Sequence, residues 1–179
     1  GRPSRRSGAA RTPRRGPPAP GGGAMAARTR LFREMKEQAK NGAHAGVELT
    51  PDDGNIYLWR ASVQGPSDTG YEGGTFGLAI TVPEQYPLVP PAVRFTTRVF
   101  HPNVHFKTGE ICLDILKAQW SPAWTLHALC QAIVALLSAP EPDSPLNCDA
   151  GNLLRCGDLR GYQSLARMYT HEHAMGRAE

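Results

Sequence analysis

The chain has 179 residues with a formal net charge of +4, a length that suits a single domain. Its positive charge comes from residues 1–24, which hold six arginines, six glycines and five prolines but no acidic or aromatic residue. Residues 25–179 carry 14 basic and 16 acidic side chains, a net charge of −2, which argues against a nucleic-acid-binding domain. No apolar run reaches the 18 or so residues of a transmembrane helix.

Composition divides the chain into a tail, residues 1–24, and a folded domain, residues 25–179. The tail is expected to be disordered, because it cannot bury enough apolar surface to offset the entropy lost on ordering. Three interpretations of the tail stay open: a flexible appendage, an organelle transit peptide, or translated sequence upstream of a true start at Met25.

The first half of the domain predicts one helix and an antiparallel sheet. Apolar residues at helical spacing predict a helix over 26–40, and Asn41-Gly42 ends it. Its outer face is expected to be basic, formed by Arg28, Arg30, Arg33 and Lys36. Alternating apolar residues separated by turn sequences predict four strands in a meander. Their ranges are 47–49, 56–64, 75–82 and 92–97.

Residues 98–124 form a long connection without clear periodicity, and such connections inside compact domains are usually functional. Three helices are predicted after it, over 125–137, 149–156 and 159–174. The first of these is apolar nearly all round, which predicts burial. The fold class is therefore α+β.

The four cysteines are Cys112, Cys130, Cys148 and Cys156, and none forms a CxxC pair or a cluster with histidine that suggests zinc. Free thiols in a reducing, cytoplasmic compartment are the default expectation. Cys130 and Cys156 lie in apolar helical patterns and are expected to fill the core.

The long connection contains the chemistry-bearing residues. Asn103 and Cys112 lie in it together, and a thiol that forms an acyl intermediate needs a donor for the developing oxyanion. Composition alone leaves Cys112 open as a buried structural thiol and Asn103 open as a turn residue.

The surrounding motifs resemble those of ubiquitin-conjugating enzymes along residues 25–174. Six separate pieces agree in order: Tyr71-Glu72-Gly73-Gly74, Tyr86-Pro87-Leu88 with Pro90-Pro91, His101-Pro102-Asn103, Ile111-Cys112-Leu113-Asp114, Trp120-Ser121-Pro122-Ala123 and Pro142-Asp143-Ser144-Pro145-Leu146. The resemblance implies the ubiquitin-conjugating fold: an N-terminal helix, a four-stranded antiparallel meander, an active-site loop and three C-terminal helices. It also makes residues 25–179 a catalytic domain.

The same resemblance assigns roles at the active site. Cys112 is the nucleophile that carries ubiquitin as a thioester, and Asn103 stabilises the oxyanion or orders the loop. Asp143 and Ser144 form the gate at which an attacking lysine is oriented, with plain turn capping as the alternative. Four residues are expected to support the loop structurally: His101, Pro102, Leu113 and Asp114.

Partners also follow from the resemblance. They are ubiquitin, the ubiquitin-activating enzyme and a RING-type ligase; no cofactor is implied, since the activating enzyme consumes the ATP. The ligase would contact Arg30, Arg33, Leu88, Pro122 and Ala123, while Gln131 and Ala135 match the face that holds donor ubiquitin. For Leu88 the alternative is simple packing on neighbouring prolines, and for Gln131 and Ala135 a position in the core.

The chain departs from the commonest members of the family in two features, and in both it resembles the peroxisomal branch in its plant and green-algal form. Eight residues separate Asn103 from Cys112, one more than in the commonest members, and the segment 147–158 is unusual. This branch implies monoubiquitylation of the import receptor for matrix proteins, with RING peroxins as ligases. It also implies a membrane-anchored peroxin as tether, at the cytosolic face of the peroxisomal membrane. Ser144 aligns with the position at which the family usually has its gate carboxylate. The missing carboxylate suits a cysteine acceptor.

Functions of two other classes fit the sequence less well. A cysteine hydrolase would need a histidine base and an orienting Asn or Asp, but neither His101 nor His127 has protease-like sequence around it. A non-catalytic ubiquitin-binding scaffold would lack the cysteine. A general cytosolic conjugating enzyme, or one for a ubiquitin-like modifier, stays open.

Overall fold

The structure, a computed structural model, describes residues 22–41, 46–111 and 120–176. Helix α1 (Gly22–Asn41) precedes four strands, β1 (Val47–Asp52), β2 (Asn55–Gln64), β3 (Thr75–Thr81) and β4 (Ala92–Phe95). Three helices follow in the described part of the chain: α2 (Leu126–Ser138), α3 (Cys148–Arg155) and α4 (Leu159–His173). The predicted α+β fold, with its antiparallel meander, is confirmed.

The strands form one antiparallel sheet in the order β1-β2-β3-β4. The register pairs Ala61 of β2 with Leu78 of β3, and Leu78 with Phe95 of β4. Because side chains alternate between the two faces of a strand, every second residue of β2 and β3 faces the core. These buried residues are Trp59, Ala61, Val63, Phe76, Leu78 and Ile80.

Helices α1 and α2 both contact β1 and β2. Thr125 caps α2, because its side chain accepts a hydrogen bond from the backbone N–H of Ala128. One face of α2 is buried, whereas Gln131 and Ala135 on its other face are exposed. The expectation that α2 is buried nearly all round is therefore wrong.

A second, smaller apolar cluster lies where the long connection meets α3 and α4. Phe100, Ala150 and Tyr162 are its buried members. Tyr169 of α4 stacks on Phe100 and packs edge-to-face on Phe106, with ring centroids 5.7 and 5.2 Å apart. Both ends of the segment 100–106 therefore pack against α4.

Two details differ from the sequence-based expectations. Helix α1 begins at Gly22, inside the segment expected to be disordered, and the Tyr57 hydroxyl donates to the carbonyl of Ala24 at 2.9 Å. Cys130 is buried as expected, but Cys156 is exposed, because α3 ends at Arg155 and Cys156 occupies its C-terminal cap.

Among the described residues, none of the helices has the length and apolar character needed to cross a bilayer. The same residues contain no cluster of His, Cys, Asp and Glu side chains that could hold a metal ion.

Candidate active site

Asn103 is completely buried and is bonded to the loop that follows α2. Its Nδ2 donates to the carbonyl oxygen of Glu141 at 2.7 Å, and its Oδ1 accepts from the N–H of Glu141 at 2.8 Å. A primary amide has a second N–H on Nδ2, and neither of these two bonds uses it. The geometry fixes the orientation of the amide.

His101 is also completely buried, and both ring nitrogens are engaged. Nδ1 accepts from the backbone N–H of Asn103 at 3.1 Å, which puts the ring proton on Nε2, 3.1 Å from the carbonyl of Leu136. Burial lowers the pKa of His101 to about 4, although the bond to Leu136 opposes that shift. The ring is therefore neutral near pH 7, and neither nitrogen can take a proton from a nucleophile without breaking a bond.

The backbone around these two residues is held from both sides. The carbonyl of Pro102 accepts from the N–H groups of Leu146 and Asn147, at 2.7 and 3.0 Å. The carbonyl of Phe100 accepts from the Tyr71 hydroxyl at 2.7 Å, and that hydroxyl is paired with the hydroxyl of Tyr162 at 2.7 Å. The segment 100–103 thus connects the turn region between β2 and β3, the loop after α2 and helix α4.

Residues 104–111 fold back as a short hairpin. Val104 bridges to Ile111, and the N–H of His105 donates to the carbonyl of Glu110 at 2.8 Å. Gly109 occupies the turn with a positive φ of 73°. Ile111 is buried, and the next residue in the chain is Cys112.

Cys112, Leu113 and Asp114 lie outside the described residues, so their predicted roles stay predictions. Asp143 and Ser144 are exposed, in the turn between Glu141 and the buried cap residue Asn147. Their loop is brought to Asn103 by the bonds at Glu141 and Pro102.

The predicted ligase-binding residues divide into two groups. Leu88 is 76% exposed, which excludes simple packing on its neighbours, and the exposed residues Pro122 and Ala123 lie on the adjacent loop. The Trp120 indole joins these loops by donating to the carbonyl of Pro87 at 2.9 Å.

The two arginines of α1 differ. Arg33 is exposed and forms a surface ion pair with Glu37. Arg30 is turned inward, bonded to Glu34 at 2.6 Å and to the carbonyl of Trp124 at 2.9 Å. The expectation that Arg30 belongs to an outward basic face is wrong, because its guanidinium spans two segments of the fold.

Sequence reasoning missed Glu34, a carboxylate only 7% exposed. The available signal was its spacing: Glu34 lies three residues after Leu31 and seven after Ala27, on the apolar face of α1. Sequence reasoning also missed the paired hydroxyls of Tyr71 and Tyr162, which are 91 residues apart in the chain.

Comparison with known proteins agrees with this geometry. The family profile described as "Ubiquitin-conjugating enzyme" matches residues 30–170. Protein PEROXIN-4 of Arabidopsis thaliana is 64% identical over 152 residues, which cover 84% of this chain and 97% of the relative. Ubiquitin-conjugating enzyme E2 pex4 of Dictyostelium discoideum is 56% identical over 142 residues, covering 79% and 95%.

A solved structure agrees as well. Pex4p of H. polymorpha, crystallised in complex with the soluble domain of Pex22p, superimposes with a TM-score of 0.79 at 36% identity. The match covers 83% of this chain and 98% of that one. The chain therefore belongs to the ubiquitin-conjugating enzyme family, as an enzyme of the peroxin-4 type.

Proposed function

We propose that this enzyme accepts ubiquitin as a thioester on Cys112 and transfers it to the peroxisomal import receptor for matrix proteins, so that the receptor is recycled. The observation that carries the proposal is the two-point bonding of Asn103 to Glu141. It fixes a side-chain amide between the hairpin that leads to Cys112 and the loop that bears Asp143 and Ser144.

The chemistry has two transfers. In the first, the Cys112 thiolate attacks the carbonyl carbon of ubiquitin held as a thioester on the activating enzyme. A new C–S bond forms, and the thiolate of the activating enzyme leaves. In the second, a nucleophile of the acceptor attacks the same carbon, its proton passes to solvent, and the Cys112 thiolate leaves.

Asn103 serves the second transfer in this proposal. The N–H of Nδ2 that is not bonded to Glu141 is the donor for the oxyanion, and such donors typically contribute about 10²–10³ in rate. His101 acts as a structural support, since both of its nitrogens are bonded. A thioester is already reactive, so the transfer does not require a histidine base.

Ser144 determines which acceptor is favoured. A polar residue without charge at the gate gives less help to a lysine, and this suits a cysteine acceptor. Ser144→Asp should change the ratio of lysine to cysteine discharge by about threefold or more. Ser164→Asp, which makes the same change at an exposed position of α4, is the matched control. The acceptor hypothesis fails if Ser144→Asp alters neither discharge rate.

Two exposed surfaces serve the protein partners in this proposal. Leu88, Pro122, Ala123 and Arg33 are exposed and form the proposed contact with the RING domain of a ligase, a RING peroxin in this pathway. The exposed pair Gln131 and Ala135, one turn apart on α2, is the proposed contact for donor ubiquitin.

A membrane-anchored peroxin is the proposed tether, placing the enzyme at the cytosolic face of the peroxisomal membrane. The support is the H. polymorpha relative, which was crystallised with the soluble domain of Pex22p. Binding of this enzyme to that soluble domain, measured by calorimetry, tests the tether independently of catalysis.

The central test is a charging assay with ubiquitin, an activating enzyme and ATP, read on non-reducing gels and by intact mass. Wild type should form a thiol-sensitive adduct, and Cys112→Ser should form a thiol-resistant ester or none. Cys148→Ser and Cys156→Ser, which replace exposed thiols elsewhere, should charge normally. A folded wild type that forms no adduct would exclude the proposed function.

A further inference from the structure

Glu34 is a buried carboxylate that binds donors from three separate segments. Its Oε1 accepts from the Nε of Arg30 and from the hydroxyl of Tyr86, both at 2.6 Å. Its Oε2 accepts from the backbone N–H of Leu126 at 2.8 Å, at the start of α2. The segments joined are α1, the loop after β3 and the beginning of α2.

The donors match the charge of the acceptor. An ionised carboxylate only accepts hydrogen bonds, and bonds to it are shorter and stronger than neutral ones. Burial and the bond to Glu34 raise the pKa of Tyr86, so its hydroxyl keeps the proton that it donates. The N-terminus of α2 adds a favourable partial positive charge at Oε2.

Each segment that Glu34 joins leads directly to a residue of the proposed ligase contact. Tyr86 lies two residues before Leu88, and Leu126 lies three residues after Ala123. Arg30, paired with Glu34, also donates to the carbonyl of Trp124. The spacing between the two loops therefore depends on Glu34, which is itself hidden from any partner, together with the bond from Trp120 to Pro87.

We propose that Glu34 is the positioning residue for ligase engagement: it holds the loop that carries Leu88 and the loop that carries Pro122 and Ala123 at the separation a RING domain binds. This inference rests on the proposed function. It assigns Glu34 no contact with substrate, ubiquitin or ligase.

Glu34→Gln tests this role with minimal change in shape. In one orientation the amide nitrogen faces the N–H of Leu126, and in the other it faces the Nε–H of Arg30. The first orientation loses the bond between α1 and α2. The second loses the bond to Arg30 and makes the Tyr86 hydroxyl turn from donor to acceptor, so either orientation weakens the network. Tyr86→Phe removes only the bond to the loop after β3 and serves as a milder second variant.

Glu48→Gln is the matched control. It makes the same change of charge at an exposed residue of β1 that belongs to no proposed contact. Exposed charges contribute little, so ligase-stimulated discharge should stay within about twofold of wild type.

The measurement is discharge of preformed ubiquitin thioester to free lysine, across a titration of a RING domain from an Arabidopsis peroxisomal ligase. Glu34→Gln should raise the half-saturating RING concentration roughly tenfold and Tyr86→Phe roughly threefold, with discharge in the absence of RING changing less than twofold. NMR spectra of the uncharged variants should show shifted signals for the Trp120 indole and the Leu88 amide.

The outcomes separate the two proposals. If wild type forms no thioester, the proposed function fails, and this inference with it. If wild type charges but Glu34→Gln loses RING-free and RING-stimulated discharge equally, Glu34 only supports the fold. Unchanged RING dependence in both variants would also overturn the inference. If Glu34→Gln does not fold, Tyr86→Phe alone decides between these results.

Discussion

The side-chain amide of Asn103 forms two hydrogen bonds with the main chain of Glu141, one through each of its polar atoms. The pairing resembles that between neighbouring strands, except that one partner is a side chain. It joins positions 38 apart in the sequence and so fixes the loop after α2 against the active-site segment. Because the contact is with the main chain, the identity of residue 141 is not part of it.

Asn103→Ala should reduce both stability and ubiquitin transfer. The N–H and carbonyl of Glu141 would lose their partners in a part-buried contact, which costs roughly 1–3 kcal/mol of the free energy of unfolding. Loss of the donor should slow discharge to lysine by about 10²–10³. Chemical denaturation and single-turnover discharge measure the two effects separately.

Glu141→Ala is the matched control, because it leaves both bonds to Asn103 in place. The Glu141 side chain is exposed, so we expect a change in unfolding free energy within about 0.5 kcal/mol. If Asn103→Ala lowered stability but left discharge unchanged, the role of Asn103 would be to order the loop and not to stabilise the oxyanion.

His101 should make the folded state less stable in acid. Its pKa is about 4 in the fold, against 6.5 for an unperturbed histidine, so between those values the unfolded chain binds the extra proton. The free energy of unfolding keeps its full value above pH 6.5 as far as His101 is concerned. It falls as the pH drops from 6.5 towards 4, by about 3 kcal/mol over that range.

The measurement is urea unfolding, followed by tryptophan fluorescence, at several pH values between 7.5 and 4. His101→Gln should flatten the acid dependence, so that its difference from wild type shrinks as the pH falls. His171→Gln changes an exposed ring on α4 and should keep the slope of the wild type. Equal slopes for wild type and His101→Gln would show that His101 is not held neutral by the fold.

The hydroxyls of Tyr71 and Tyr162 should be energetically coupled. The Tyr71 proton is directed to the carbonyl of Phe100, so Tyr162 donates to Tyr71. Tyr71→Phe leaves the carbonyl of Phe100 and the hydroxyl of Tyr162 without this partner, and should lower the free energy of unfolding by roughly 1–3 kcal/mol. Tyr162→Phe removes only the donor to the Tyr71 oxygen, and should lower it by about 1 kcal/mol.

A double-mutant cycle on unfolding free energies checks this arrangement. We expect the two single changes to sum to more than the double change, with a coupling of about 0.5–2 kcal/mol. Strictly additive effects would mean that the hydroxyl pair contributes nothing beyond the packing of the rings.

The sheet could be predicted from sequence because its signal is local. Phe76, Leu78 and Ile80 alternate with smaller or polar residues, and all three are buried on one face of β3. The active-site segment was found through its His-Pro-Asn motif, since resemblance uses residues that are close together in the chain. In both cases the information lies within a few positions.

The contacts that organise the site could not be predicted, because they are long-range. Glu34 meets Tyr86 and Leu126 across 52 and 92 positions, and nothing in the neighbouring sequence indicates either partner. Arg30 was expected on a basic surface for the same reason: helical periodicity places a residue on a face but does not show what lies opposite. Cys156 was misplaced by a shift of one position at a helix end, where periodic patterns are weakest.

Two glycines with similar backbone conformation allow the effect of a steric clash to be separated from that of backbone strain. One of them lies in the turn of the hairpin before Cys112. Gly109 and Gly157 have nearly the same positive φ, 73° and 76°. A Cβ on Gly109 would lie 2.0 Å from the carbonyl oxygen of Phe95, whereas a Cβ on Gly157 would have no neighbour within 4 Å. Gly157→Ala should therefore cost only the left-handed strain of about 1–2 kcal/mol.

Gly109→Ala adds the clash with Phe95, which must move the hairpin off the end of β4. The bond from the N–H of Phe95 to the carbonyl of Gly109 would be strained or lost, adding roughly another 1–3 kcal/mol. Because the hairpin ends at Ile111, which directly precedes Cys112 in the chain, Gly109→Ala should also slow ubiquitin charging, while Gly157→Ala should charge like wild type. Denaturation and initial charging rates measure both effects; equal stability losses and equal charging in the two variants would mean that the hairpin does not need its close approach to β4.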